Sequence, residues 1–227
     1  MDPVEDARAL VSDRFPAAFA AFLCPGVVSS LRTATSDLDI VVVLAGPPAP
    51  YRESLRWRGW PTETFVHDRD SLEIFFAKDT ARRRPTLARM CADGVTLADA
   101  GVATEVRERA QAVLAAGPPA ATSAELEERR YGLTDLVDDL AGSTDPGETA
   151  VIGWNVWVAT AELALIQAGG WLGSGKWLLR ELRATDPDLA DRMVAAIADH
   201  RQLVDLADEV LDRAGGRFWA GYRVPAR

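Results

Sequence analysis

Cysteine is nearly absent from this chain: Cys24 and Cys91 are the only two in 227 residues. Neither lies in a Cys-x-x-Cys pair, which excludes a zinc cluster and a disulfide scaffold, so two buried, reduced thiols are expected. Histidine is equally scarce. His67 and His200 are far apart in sequence and complete no zinc or nucleophile–base motif. Positive charge is in deficit, with 25 Lys and Arg against 34 Asp and Glu and a net charge of −9. Such a surface repels phosphate backbones, which argues against nucleic acid as a partner, and it attracts small cations. No long stretch is free of polar residues. The most apolar one, residues 150–168, carries Asn155, Glu162 and Gln167 and reads as a buried helix rather than a membrane span. The opening MDPVEDARAL has no apolar leader region, so a cytoplasmic protein with no membrane partner is expected. Internal repeats and low-complexity tracts are also missing.

What remains is an ordinary globular composition, 48% hydrophobic and 26% charged, long enough for one large domain or two modest ones. Helical periodicity runs over residues 4–22, interrupted at Pro16. Residues 26–30 read as a short strand or strand-turn. Asp39 to Leu44, DIVVVL, is short, β-branched and almost wholly apolar, the pattern of a buried strand. A second strand is predicted over Thr62 to His67, a helix over Asp70 to Met90, a short strand over Gly94 to Ala98 and a helix over Ala103 to Ala116. Gly117-Pro118-Pro119 is the natural boundary. Beyond it everything reads as helix, with starts at Thr122-Ser123, Asp145-Pro146, Gly173-Ser174-Gly175 and Asp186-Pro187. The expected fold class is α+β: an α/β domain with a mixed sheet over residues 1–117, then an all-helical bundle over 118–227. A cleft between two such parts is a natural place for a ligand.

The most informative residues are Asp37 and Asp39. Residues i and i+2 of a strand share a face, so the two carboxylates stand together at the mouth of the buried strand. Their repulsion is relieved by a proton or a cation, and hard ions such as Mg²⁺ prefer carboxylates together with substrate phosphates. Read alone, an Asp-x-Asp after Thr35-Ser36 is common and is better read as a polar turn. Glu63 opens the next strand, where read alone it is a solvent-exposed strand end. Lys176 sits at a helix start, where it opposes the helix dipole unless an anion lies between them; the other reading is a solvated lysine. Asn155 and Glu162, seven apart in the apolar helix, fall on one face. Glu162 is then a general base, a holder of a cationic substrate, or an internally hydrogen-bonded core residue. Asp135, Asp138 and Asp139 read as an acidic pocket wall or the wet face of a helix, Arg82-Arg83-Arg84 as a phosphate patch or, more commonly for such a run on a helix, a solvated one, and Trp57 and Trp60 as core or as base-stacking rings. Gly170 to Lys176 fits the start of a P-loop, but Trp177 stands where Ser or Thr is required and a helix precedes it, so that motif is rejected.

The stretch Ser29 to Leu44, SSLRTATSDLDIVVVL, resembles the signature of the polymerase-β-like nucleotidyltransferase superfamily, in which a Gly-Ser turn is followed by Asp-x-Asp on a hydrophobic strand. The chain as a whole looks similar to small bacterial aminoglycoside and lincosamide nucleotidyltransferases. The resemblance implies Mg²⁺-dependent transfer of a nucleoside monophosphate from ATP or another NTP to a hydroxyl of a small acceptor, such as an aminoglycoside-like antibiotic. It assigns two Mg²⁺ ions to Asp37, Asp39 and Glu63, and phosphate contacts to Gly26, Ser29, Ser30 and Lys176. Glu162 becomes the candidate base. The phosphate turn departs from the pattern, with Pro25-Gly26 in place of Gly-Ser and Ser29-Ser30 in place of Arg-Gly. Pro25 has no N–H to offer a phosphate. The alternative is therefore a nucleotidyltransferase-fold module without turnover, binding nucleotide or, in the manner of an antitoxin, another protein.

Overall fold

A computed structural model describes residues 2–30 and 32–224. The chain divides into two compact units, Met1–Gly117 and Pro118–Arg227.

The N-terminal unit is built on a mixed five-stranded sheet of order β3-β4-β2-β1-β5. Its elements are α1 (Pro3–Arg14), β1 (Ala20–Leu23), β2 (Leu38–Val43), β3 (Tyr51–Trp57), β4 (Trp60–His67), α2 (Arg69–Ala81), α3 (Thr86–Ala92), β5 (Val95–Asp99) and α4 (Ala103–Ala116). Strand alternation gives β2 two apolar faces. Leu38, Ile40 and Val42 pack with Ala7, Leu10 and Val11 of α1. Val41 and Val43 pack with Leu72, Phe76, Leu87 and Val106 of α2, α3 and α4. That double burial explains why β2 reads as a continuous apolar run. β2 and β4 are parallel, while β1 is antiparallel to both β2 and β5.

Three sequence expectations change here. Residues 15–22 do not continue the first helix; Phe15 precedes Pro16, which disfavours helical backbone at that position, and the fully buried Ala20–Leu23 becomes β1. Residues 25–27 form a 3₁₀ turn, not a strand. The predicted helix over Asp70 to Met90 is two helices. Arg83 has left-handed backbone at φ 57. The Asp79 carboxylate accepts from the Leu87 N–H at 2.9 Å and from Arg82 at 2.5 Å, which holds the bend ahead of Pro85. Arg83 is buried, so the basic run is not a uniformly solvated one.

The C-terminal unit consists of α5 (Ser123–Gly142), α6 (Pro146–Gln167), α7 (Lys176–Thr185), α8 (Pro187–Ala195) and α9 (His200–Arg213). The Asp-Pro starts work by capping: Asp145 accepts from the N–H groups of Gly147 and Glu148, and Asp186 from that of Leu189. The last predicted helix is in fact α8 and α9, separated by a 3₁₀ turn at Ala196–Ala198. Among the described residues α6 is the one helix long and apolar enough to cross a membrane, and half of its apolar window is buried in this unit. Val156, Trp157, Ala161, Leu163 and Leu165 of α6 pack with Leu133, Leu182, Met193 and Val210.

Candidate functional site

One end of the sheet gathers most of the chemistry in the N-terminal unit. β1 finishes there, while β2, β4 and β5 begin there. In the parallel β2–β4 ladder Asp39 lies directly beside Glu63. Neighbouring strands are about 4.8 Å apart and in-register neighbours share a face, so the two carboxylates stand side by side. Both project to the side of Val41 and Phe65, away from α1. Asp37 precedes the strand and is exposed. It is presented by a closed turn, in which the Thr33 N–H donates to Ser36 Oγ at 2.9 Å and the Ser36 N–H to the Thr33 carbonyl at 3.2 Å.

Two further residues, neither of them expected at the site from sequence, join this end. Cys24 continues the β1–β2 ladder, its N–H donating to the Asp39 carbonyl at 2.8 Å. Its thiol is pushed up to about 12, first by burial and then by the charges of Asp39, Asp93 and Asp37. That thiol therefore stays protonated and is no nucleophile. Asp93 ends α3, just ahead of Gly94, where a Cβ would sit 3.0 Å from Phe22 Cβ and 3.2 Å from the Leu23 carbonyl. Only glycine lets α3 deliver Asp93 so close to the end of β1. Cys91, buried behind it, is likewise raised to about 12 by burial.

Glu63 already has partners. Its carboxylate accepts from the Arg52 guanidinium and, at 3.3 Å, from Ser54 Oγ. Both donors come from β3, the edge strand that hairpins onto β4. Arg52 also lies over the Phe65 ring at 5.0 Å. Its pKa is raised first by the Glu63 hydrogen bond, with the charges of Glu63 and Asp39 adding to it. β3 escapes sequence reading because its turn is Arg58-Gly59, both at positive φ, and lacks the Asn-Gly or Asp-Gly signal of such turns.

The other expected residues fall as follows. Gly26 is exposed in the 3₁₀ turn, its carbonyl accepting from Ser29 Oγ at 3.1 Å, and Ser30 is exposed beside it. Arg32, which is outside that expected set, lies over the Trp60 ring at 4.8 Å. Trp57 and Trp60 are tied into the fold: their indole N–H groups donate to the Asp6 carbonyl and carboxylate at 2.8 and 3.0 Å, and Arg58 and Arg32 lie over the two rings. In the C-terminal unit Lys176 is exposed at the first position of α7, whose Gly175 cap supplies no side chain. Gly173, just ahead of it, is packed hard against the backbone of Trp177 and Leu178. Glu162 pairs with Arg129 at 3.0 Å, whereas Asn155 is exposed instead of buried. Asp138 pairs with Arg217, and Asp135 and Asp139 face solvent.

Among the described residues no three or more His, Cys, Asp or Glu side chains converge as a ready-made metal cage. A cage is not what Mg²⁺ requires. One or two carboxylates plus substrate phosphates and water is its usual set, and the Asp39–Glu63 pair fits that set.

No family model matches the chain, and no curated protein matches its sequence. Among solved structures it is similar to a nucleotidyltransferase-like protein from Exiguobacterium sibiricum, at 12% identity and a TM-score of 0.41, over 94% of this chain and 77% of that one. A likeness that distant names neither a family nor an activity for this chain.

Proposed function

We propose that the chain is a nucleotidyltransferase that moves a nucleoside monophosphate from an NTP to a hydroxyl of a small acceptor. The observation that carries this reading is the register of Asp39 beside Glu63, with Asp37 two residues ahead. Asp37, Asp39 and Glu63 would hold Mg²⁺. A metal held there would supply positive charge against the phosphates of the donor nucleotide. The backbone at Gly26 and the hydroxyls of Ser29 and Ser30, exposed or half-exposed in the turn after β1, are the chain's own phosphate contacts. The acidic surface favours a cationic acceptor such as an aminoglycoside. Glu162 is a poorer candidate for a base than its sequence position suggests, since Arg129 already holds its carboxylate.

Isothermal titration of ATP with and without Mg²⁺ tests the site. Wild type binds in a Mg²⁺-dependent manner, and Asp39→Ala or Asp37→Ala weakens binding at least about tenfold, the loss of one charge-assisted contact worth roughly 1.4 kcal/mol. Wild-type protein that ignores Mg²⁺ sinks the proposal. A second reading, a binding module without turnover, is favoured by Pro25, which opens the 3₁₀ turn with no N–H to donate. Pyrophosphate release in a panel of aminoglycosides, lincosamides and hydroxylated metabolites eliminates that reading.

A further inference from the structure

Arg52 already occupies the carboxylate that a metal would need. Its guanidinium holds Glu63, which also accepts from Ser54, and the side chain lies along the Phe65 ring. Arg52 belongs to the edge strand and its side chain is 58% exposed, so it can swing away at the cost of only its contact with the Phe65 ring. Glu63 is only 26% exposed and is fixed by the β2–β4 ladder beside Asp39. The mobile partner of the pair is thus the cation, and the fixed partner is the acid.

We infer that Arg52 is a built-in counter-ion that sets the order of binding: it excludes a bare divalent cation from Glu63 and yields to a metal–nucleotide, whose phosphates give it a replacement anion. Two independent features support this. A guanidinium competes for the same oxygens as a metal ion, and it also pairs well with phosphate oxygens. Asp39 adds negative charge around the guanidinium, so the counter-ion serves the pair rather than Glu63 alone. Metal binding alone would have to expel Arg52 into water with no partner. Metal together with a triphosphate exchanges one anion for another.

The inference rests on the metal-site reading above, and the following experiment separates the two. Mn²⁺ binding is followed by electron paramagnetic resonance, without nucleotide, for wild type, Arg52→Ala, Arg52→Lys and Asp39→Asn. ATP affinity is then measured at saturating Mn²⁺. Removing a competitor worth about 0.5 kcal/mol tightens Mn²⁺ binding in Arg52→Ala about twofold. The same variant loses about fivefold in ATP affinity, because a phosphate contact is gone. Arg52→Lys falls between, having charge without the fork. Mn²⁺ binding that is equal in wild type and Arg52→Ala, yet lost in Asp39→Asn, overturns the counter-ion role and leaves the metal site standing. Unchanged ATP affinity in Arg52→Ala also overturns it. Mn²⁺ that binds neither protein overturns the metal site, and the counter-ion with it.

Discussion

Each unit of this protein contains an arginine facing two carboxylates, and the two arrangements differ in what surrounds them. In the C-terminal unit Arg129 bridges Glu162 at 3.0 Å and Glu125 at 3.7 Å, with only 29% of Arg129 and 16% of Glu162 in contact with solvent. In the N-terminal unit Arg52 holds Glu63 next to Asp39, but Arg52 stands mostly in water on an edge strand. Burial decides what such a pair can do. A half-buried pair is costly to break, because one charge is left where water solvates it poorly. An exposed pair contributes little to stability and can be exchanged for another ion. The helical pair is therefore a fastener between α5 and α6, while the sheet pair has the properties of a replaceable counter-ion.

The largest effect is expected where the fastener is cut. Glu162 lies between Ala161 and Leu163, both fully buried. Arg129→Ala leaves its carboxylate half-buried and without that cation, at a cost of about 2 kcal/mol and a Tm fall on the order of 5 °C. Thermal denaturation followed by circular dichroism measures it. Replacing both partners, Arg129→Leu with Glu162→Leu, removes the charge and the need for its partner together, and should recover most of the loss. A single variant that melts with wild type would erase the distinction between the two pairs.

The same contrast explains what could be read from the chain in advance. Helix starts in the C-terminal unit are local chemistry: Asp145-Pro146 and Asp186-Pro187 cap their own helices within three residues, so sequence alone locates them. α4 and β2 were legible for similar reasons, one through periodicity and the other through its β-branched run. β1 was not, because Ala20-Ala21-Phe22-Leu23 carries no alternation and Ala favours helix in isolation; only the pairing with β2 and β5 makes it a strand. The site divides along the same line. Asp37 and Asp39 show in the sequence as a spacing. That Glu63 stands beside Asp39, that Cys24 and Asp93 share their end of the sheet, and that Arg52 covers Glu63 all depend on non-local pairing. Arg52 in particular comes from an edge strand whose half-exposed, charged residues carry no strand signature.

His67 offers an intermediate test at the far end of β4, where the N-terminal unit is as closed as the helical one. Its ring is buried and sits edge-on to Phe75 at 5.0 Å, with Nδ1 making no hydrogen bond. Burial lowers its pKa, and the charges of Asp68 and Asp79 oppose the shift without reversing it. The unfolded chain therefore takes up the proton first. Above about pH 6.5, the ordinary histidine value, His67 has no effect on the pH dependence of stability. As pH falls below that value the native state loses stability, until its own His67 is protonated. Urea denaturation at pH 7.5 and pH 5.5 should show a larger acid-side loss for wild type than for His67→Leu. Equal losses would mean that the ring is solvated after all.

The smallest stability effect is expected at Arg52, and its smallness is what gives the comparison its meaning. An exposed ion pair on an edge strand contributes about 0.5 kcal/mol or less, so Arg52→Ala should shift Tm by no more than about 2 °C. Glu63 does not become a stranded charge in that variant, since Ser54 Oγ still donates to it and its strand end is open to water. Stability and ion binding should thus come apart in the N-terminal unit: Arg52→Ala folds as wild type does, yet changes its response to Mn²⁺. In the C-terminal unit they should not come apart, because Arg129 spends its charge on packing. A Tm fall for Arg52→Ala as large as that of Arg129→Ala would place both arginines in the same structural class and remove the reason to expect a metal to displace either one.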